Sequence, residues 1–389
     1  MACLIAAVAG TIALAIWLVP PPSPQGFRIT QVDFGELNGW EADHQGQTLN
    51  ALYRSCAVMA RLPVMRAIGP DAIAGYAKDW REPCAASKSI DIQDHAAARD
   101  FFEVWFEPFL VTYDGDDVGL FTGYYEPTLE GSLTPNSQYT TALLARPKNL
   151  VTVKLGEFNR EWSGEKITGQ VIAGRLRPYP TRAEIVAGAL RDPGLALVWV
   201  DDPIDAFFMH IQGSGRIALP DGDIIRLGYD SENGHPYRSI GRELIKDGAL
   251  SRDAVSMQSI RAWLASNPDR SEEMINRNAS FVFFRVNGRD GPVGAQNVVL
   301  TPQRSLAVDR RFIPLGVPVW LETTVPKRTG GDEFWRRLMV AQDTGGAIRG
   351  AIRGDVFWGA GDEAAEVAGR MKHKGRYYML LPRVLSEGF

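Results

Sequence analysis

The apolar residues of this chain fall into three successive patterns. Residues 1–19 carry no charge and are mostly Ala, Ile, Leu and Val, and Pro20, Pro21, Pro22 and Pro24 close the run, because consecutive prolines cannot continue a helix. Residues 25–120 then predict mainly helices. Within them Ala97, Phe101, Phe102, Trp105, Phe106 and Phe109 recur at near-helical spacing, with Asp94 placed to cap the first turn and Pro108 to end the helix. Such an aromatic stripe is core packing. From about Gly119 the pattern turns to short apolar runs separated by Gly and Pro, which predicts strands and turns. Ala206–Ile211 reads as a strand, and Arg216–Leu219 and Asp223–Tyr229 as two strands around the turn Pro220-Asp221-Gly222. Thr181 and Glu184 form a capping box that opens a short helix. Helices are predicted near Ile240–Asp247 and Met257–Ala265, and strands resume at Phe281–Val286 and run to the end.

Composition narrows the class. At roughly 100–200 residues per domain, 389 residues suggest two domains. A formal net charge of −4 argues against a dedicated nucleic-acid binder. The three cysteines form no C-x-x-C pair and the five histidines no H-E-x-x-H motif, so neither a metal site nor another cofactor is expected. No phosphate-binding glycine-rich motif of the P-loop type occurs. Chemistry therefore rests on carboxylates, hydroxyls, amides and Arg. The first nineteen residues are long enough to span a bilayer or to serve as a secretory signal, although no Lys or Arg precedes Arg28. Cys3 comes too early for an ordinary lipoprotein cleavage site. In an oxidising compartment Cys56 and Cys84 would pair; two buried thiols are the other reading, and the sequence leaves both open.

Three aspartates stand beside strand-like runs and turns: Asp309 in Ser305–Gly316, Asp343 in Val340–Gly350, and Asp355 in Arg353–Gly359. Asp355 is the best acid on chemistry alone. Val356, Phe357 and Trp358 follow it, and a poorly solvated carboxyl has a raised pKa. One still protonated near neutral pH can give its proton to a leaving oxygen. Taken singly, each of these aspartates would equally well cap a turn.

The wording of these segments resembles the 3D domain, named for three aspartates in such contexts. Upstream, Gly123-Tyr124-Tyr125-Glu126-Pro127 and His210-Ile211-Gln212-Gly213-Ser214-Gly215-Arg216 are similar to signatures of the membrane-bound lytic murein transglycosylase A family. Together the motifs cover about residues 120–385. The resemblance implies a mainly β, α+β protein with a groove for a glycan strand between two domains. A signal peptide or anchor would occupy residues 1–24. A helical part, 25–122, would pack on a double-psi β-barrel, 281–389, and a mostly β glycan-binding domain, 123–280, would be inserted between them. It also implies cleavage of the β-1,4 bond between N-acetylmuramic acid and N-acetylglucosamine without water, leaving a 1,6-anhydro end. Because the muramic acid C6 hydroxyl is the nucleophile, one residue can act as acid and then as base, where ordinary glycosidases need two carboxylates. By position Asp355 matches the family's catalytic aspartate, and Asp343 and Asp309 its companions.

Sugar chemistry assigns the remaining candidates. Tyr124 and Tyr125 offer ring faces for stacking, although neighbours on a strand point to opposite sides and one of them would then be core. Gln212 and Ser214 suit acetamides and hydroxyls, Gly213 and Gly215 permit close backbone approach, and Arg216 suits a carboxylate. Gln212–Gly215 also reads as a bulge or turn. Glu126 is a second candidate acid, ranked below Asp355. The expected setting is the periplasm, with a monomer held at a membrane by its N-terminus, acting on peptidoglycan strands and meeting cell-wall synthesis or divisome proteins. A non-catalytic glycan-binding protein and an inverting muramidase are the rival readings. An aspartic protease is disfavoured, since Asp343-Thr344-Gly345 is unrepeated.

Overall fold

The computed structural model describes residues 24–162, 164–190, 192–327 and 329–388. The N-terminal apolar run and Cys3 lie outside the described residues. Among the described residues no helix is long and apolar enough to cross a membrane. The chain divides into two compact units. Unit 1 comprises the residues up to Gly123, Gly294–Phe357, and the residues from Met371; unit 2 comprises Tyr124–Val293 and Trp358–Arg370.

Unit 1 is built on an eight-stranded sheet. Six of its strands close on themselves in the order Lys372–Pro382, Pro318–Pro326, Asp332–Asp343, Ser305–Val308, Arg353–Ala360, Gly119–Glu126 and back to Lys372–Pro382. Closure removes the free edges that an open sheet would expose. Phe106–Tyr113 and Phe27–Gln31 extend the ring on one side. Trp320, Leu338, Met339, Val356 and Tyr377 are among its fully buried side chains.

Three helices, Gly46–Met59, Arg81–Ser87 and His95–Trp105, belong to the same unit. The first is bonded to the ring by polar groups: Thr48 Oγ1 donates to the Leu338 carbonyl (2.8 Å), and Gln342 Nε2 to the Ala51 carbonyl and to Ser55 Oγ (2.8 Å each). Cys56 and Cys84 form a disulfide with Cα atoms 5.5 Å apart, which ties the first two helices together.

Residues 25–120 are less helical than their pattern predicts. Phe27–Gln31 and Phe106–Tyr113 are antiparallel strands, with Ile29 opposite Val111. Asp94 does cap the third helix, accepting from the Ala97 amide, but that helix stops at Trp105 and Phe106 is already extended. The cause is Pro108, which drives Glu107 out of the helical region.

Unit 2 contains a six-stranded sheet in the order Val282–Val286, Ile224–Glu232, Ser214–Ala218, Thr128–Ser132, Ala196–Val200, Thr141–Leu144. A bridge between Ala145 and Phe284 links its first and last strands. Because Val282–Val286 pairs with Ile224–Glu232, the inserted unit runs past the boundary drawn at residue 280. It also takes in the helix Asp362–Arg370, on which Gln258 Nε2 donates to the Ala365 carbonyl (3.2 Å). Helices Ile240–Lys246 and Met257–Ser266 lie where the pattern placed them.

The run Ala206–Ile211, expected as a strand, is part of a helix, Pro203–Gln212. Its punctuation decides the matter. The Asp202 carboxylate accepts from the Ile204 amide (2.7 Å), proline takes the first helical position, and Gly213 stops the helix in the left-handed region at φ 79°. Apolar residues on every side made its period unreadable. The last element of unit 2 is a small sheet of Val151–Lys154, Lys166–Ile172 and Arg175–Pro178.

Candidate active site

The strand Ser305–Val308 organises the three aspartates of unit 1. Its Ala307 is paired with Asp343 on the parallel neighbour and with Asp355 on the antiparallel one. Asp355 therefore shares a face with Ala307, while Asp343 reaches its place opposite Ala307 through a register shift that follows the Leu306–Ala341 pair; the three backbones lie side by side in one row, with about 10 Å between the outer two at two strand spacings. The opposite face is core. Leu306 pairs with Val356 and Val308 with Gly354, and a Cβ on Gly354 would lie 2.9 Å from the Phe121 ring. The sequence Gly354-Asp355-Val356 thus alternates core, site, core.

Asp355 is half-buried. Thr122 Oγ1 donates to its Oδ1 at 2.5 Å, and Arg353 Nη2 donates to the same Thr122 Oγ1 at 2.8 Å. Burial raises the Asp355 pKa above the usual carboxylate range; the Arg353 charge and the Thr122 bond offset part of that rise. Burial also lowers the Arg353 pKa, against the pull of Asp355.

Asp343 is anchored by main chain: its Oδ1 accepts from the Ala295 (2.9 Å) and Thr344 (2.8 Å) amides. Asp309 differs from both. It is 1% exposed, and its carboxylate takes Arg311 Nη2 at 2.6 Å, Arg311 Nε at 3.1 Å and the Gly350 amide at 2.9 Å. Burial alone would raise its pKa, but the Arg311 and Gly350 bonds outweigh burial and hold it below the usual range. A saturated, ionised carboxylate pins the 344–352 connection between the other two aspartates and has no proton to give.

The candidates of unit 2 separate likewise. Tyr124 is buried and Tyr125 half-buried, and the Tyr125 amide donates to Gln212 Oε1 (3.1 Å). Burial raises the Tyr125 hydroxyl pKa; Arg261 lowers it and Asp205 and Asp362 add to the rise. Gln212–Gly215 is the end of one helix and the start of a strand, with Ser214 opposite Gly228. At Gly215 a Cβ would meet the Met209 side chain at 3.0 Å. Glu126, 3% exposed, is bridged by Arg226 at 3.1 Å and Arg216 at 3.5 Å. Burial raises its pKa and the two guanidinium groups pull it back. Glu126 is therefore an ion-paired carboxylate, held by hydrogen bonds from Arg226 with Arg216 as its more distant partner. His210 is buried and kept uncharged by burial and by Arg182. Its Nδ1 accepts from the Val282 amide at 3.3 Å.

Thr122 and Arg353 were missed as site residues. The readable signal was period two: Arg353 lies two residues before Asp355 and shares its side of the strand, whereas Val356 does not.

Two family models match: the MltA specific insert domain over residues 120–285 and the 3D domain over residues 304–381. These two modules define the class, a β-rich protein in which an insert unit interrupts a 3D-domain unit. The membrane-bound lytic murein transglycosylase A of Escherichia coli K12 is 35% identical over 264 residues, which span 67% of this chain and 65% of that protein. A crystal structure of a membrane-bound lytic murein transglycosylase from Agrobacterium tumefaciens superposes with a TM-score of 0.81 at 33% identity, covering 92% of this chain and 99% of the other. The crystal structure of E. coli MltA with bound chitohexaose gives a TM-score of 0.63 at 27% identity over 93% of this chain and 96% of that one. This chain belongs to the membrane-bound lytic murein transglycosylase A family.

Proposed function

We propose that this chain is a peptidoglycan lytic transglycosylase that cleaves the β-1,4 bond between N-acetylmuramic acid and N-acetylglucosamine, with Asp355 as general acid and then general base. The observation that carries the reading is the bonding of Asp355. Arg353 occupies Thr122 Oγ1 as an acceptor, so the Thr122 hydroxyl proton goes to Asp355 Oδ1, and a proton carried by the carboxyl sits on Oδ2. Burial favours that protonated form. Oδ2 would protonate the glycosidic oxygen as the C1–O bond breaks. The C6 hydroxyl then attacks C1, its proton returns to Oδ2, and the 1,6-anhydro ring closes with no water consumed. Asp343, in the same row, would stabilise the positive charge at C1. Asp309 would hold the connection between them. We read the closed six-stranded ring as the family's double-psi barrel, and Tyr125, Gln212 and Ser214 as glycan contacts in unit 2. The chitohexaose bound by the E. coli relative supports a glycan substrate. Membrane attachment through residues 1–24, a periplasmic location, action as a monomer and contact with wall-synthesis proteins belong to the same proposal.

The test is digestion of purified sacculi with mass analysis of the products. Fragments lighter by one water than hydrolytic ones support the lyase. Reducing ends would make the chain an inverting muramidase, and glycan binding without products a binding protein.

Removing the Thr122 hydroxyl refines the assignment. It lowers the Asp355 pKa, so Thr122→Val raises that pKa further. Activity that needs protonated Asp355 is lost as pH rises through it. The alkaline limb of kcat/KM is therefore expected at higher pH in the variant, and a limb that stays in place or moves down would remove Asp355 as the acid.

A further inference from the structure

The strand Asp332–Asp343 is irregular just where it delivers Asp343. Along Ser305–Val308, Leu306 lies opposite Ala341 and the next residue, Ala307, lies opposite Asp343, so the pairing passes over Gln342. One extra residue of this kind breaks the ladder locally and re-aims the side chain beside it. The extra residue is held by its own side chain. Gln342 is fully buried. Its Nε2 donates to the Ala51 carbonyl and to Ser55 Oγ at 2.8 Å each, and its Oε1 accepts from Ser305 Oγ at 2.6 Å. The Ala51 carbonyl can only accept, which fixes the orientation of the amide. Both hydroxyls are committed in turn. Ser305 Oγ accepts from the Thr301 amide (2.8 Å), and Ser55 Oγ donates to Gln296 Oε1 (2.7 Å).

These bonds return to the aspartate through a second segment. The Gln296 amide donates to the Gln342 carbonyl at 3.0 Å, and its neighbour Ala295 donates to Asp343 Oδ1 at 2.9 Å. A Cβ on Gly294 would lie 2.6 Å from the Gln342 carbonyl oxygen and 3.2 Å from Asp343 Cβ, so residues 294–296 run directly against the extra residue. The helix that supplies Ala51 and Ser55 is itself fixed, because Cys56, next to Ser55, is bridged to Cys84. An amide that served only to fasten this helix would not also engage Ser305 on the neighbouring strand and, through Ser55, the segment that bonds Asp343. A buried network whose hydroxyls and central amide are all paired selects one arrangement over its near neighbours. We propose that Gln342 is a positioning residue that, with Ser55 and Gln296, locks the irregular strand end and so sets where the Asp343 carboxylate stands in the reaction. This rests on the reading of Asp343 as the group that stabilises charge at C1.

The experiment combines Gln342→Met with Asp343→Asn in the full chain, with kcat and KM for anhydro-end formation measured on soluble glycan strands. Met keeps the length of Gln and none of its bonds. Gln342→Met is expected to lower kcat about tenfold or more, as misplaced groups do, with KM changed less than about twofold. Exchange of the Ala295 and Thr344 amides, which bond Asp343, is expected to quicken while the other strands of the ring keep their protection. In the Asp343→Asn background the same substitution is expected to lower kcat no further, since residues that act as one unit are not additive. Full kcat in Gln342→Met overturns the proposal, and so does a loss of equal size in both backgrounds. Full activity of Asp343→Asn alone would instead remove Asp343 from the reaction; the two amides then decide the positioning by themselves, and unchanged exchange there overturns it. If Gln342→Met fails to fold, Ser55→Ala replaces it, since the Ala51 and Ser305 bonds to Gln342 remain. That variant is expected to lose about threefold in kcat beside Asp343 and nothing beside Asn, and an equal loss in both, or none in either, overturns the proposal.

Discussion

Replacing Asp355 by Asn is expected to cut anhydro-product formation by about 10²–10⁴, the usual worth of a positioned acid–base group, while glycan still binds. The amide matches the carboxyl in shape and can still accept from Thr122, so the loss is of the proton and not of the architecture. The same substitution is expected to stabilise the fold at neutral pH. Burial raises the Asp355 pKa, so the folded state holds the charged form less well than the unfolded chain does. Below the unfolded value, about 3.9, both states are protonated and the group contributes nothing. Stability is lost as pH rises from that value through the higher folded one, and the deficit persists above it. Asn carries no charge to bury. The melting temperatures of the two proteins should therefore coincide in acid and separate towards neutral pH, with the variant higher. Full activity in the variant would remove Asp355 from the reaction, and a lower neutral-pH melting temperature would contradict the burial argument. An inactive but more stable variant is the signature of strain kept for function.

The motifs around the aspartates were legible because each is local. Gly354-Asp355-Val356 encodes its own alternation, and Thr181 and Glu184 form their box as spaced. What surrounds Asp355 was not legible from its sequence neighbours. The apolar Val356 lies on the far face, and the groups that set the proton's position, Thr122 and Arg353, arrive by pairing and by period two. Ser305–Val308 looked like one more apolar run, yet it is the strand that brings Asp343 and Asp355 into a row. Glu126 shows the converse: it reads as a ligand-facing group in a motif, and it is ion-paired with Arg226 and Arg216. Helix 203–212 was hidden because its caps, not its period, define it.

The least legible feature is a buried ion pair of unit 1, and breaking it is expected to cost about 3–5 kcal/mol, the range for leaving a buried charge alone. Asp43 and Arg304 are 261 positions apart in sequence, and no periodicity connects them. The Asp43 carboxylate takes both Arg304 Nη atoms, at 2.7 and 2.9 Å, and the Leu338 amide at 2.9 Å. Arg304 also donates to the Leu338 carbonyl (3.0 Å) and Gln47 Oε1 (2.9 Å), and the two side chains are 3% and 0% exposed. Asp43→Ala leaves a guanidinium buried without its anion, and chemical denaturation should register the full cost. Asp43→Leu combined with Arg304→Met removes both charges and should recover most of it, since a well-packed apolar pair replaces a buried ion pair at little cost. A single variant that loses less than about 1 kcal/mol would place the pair in water. Arg304 immediately precedes the strand that holds Ala307, so the single variant is also expected to lose transglycosylase activity below its unfolding transition, and the double variant to regain it. Recovered stability without recovered activity would mean that the pair sets the position of the aspartate row as well as the strength of the fold.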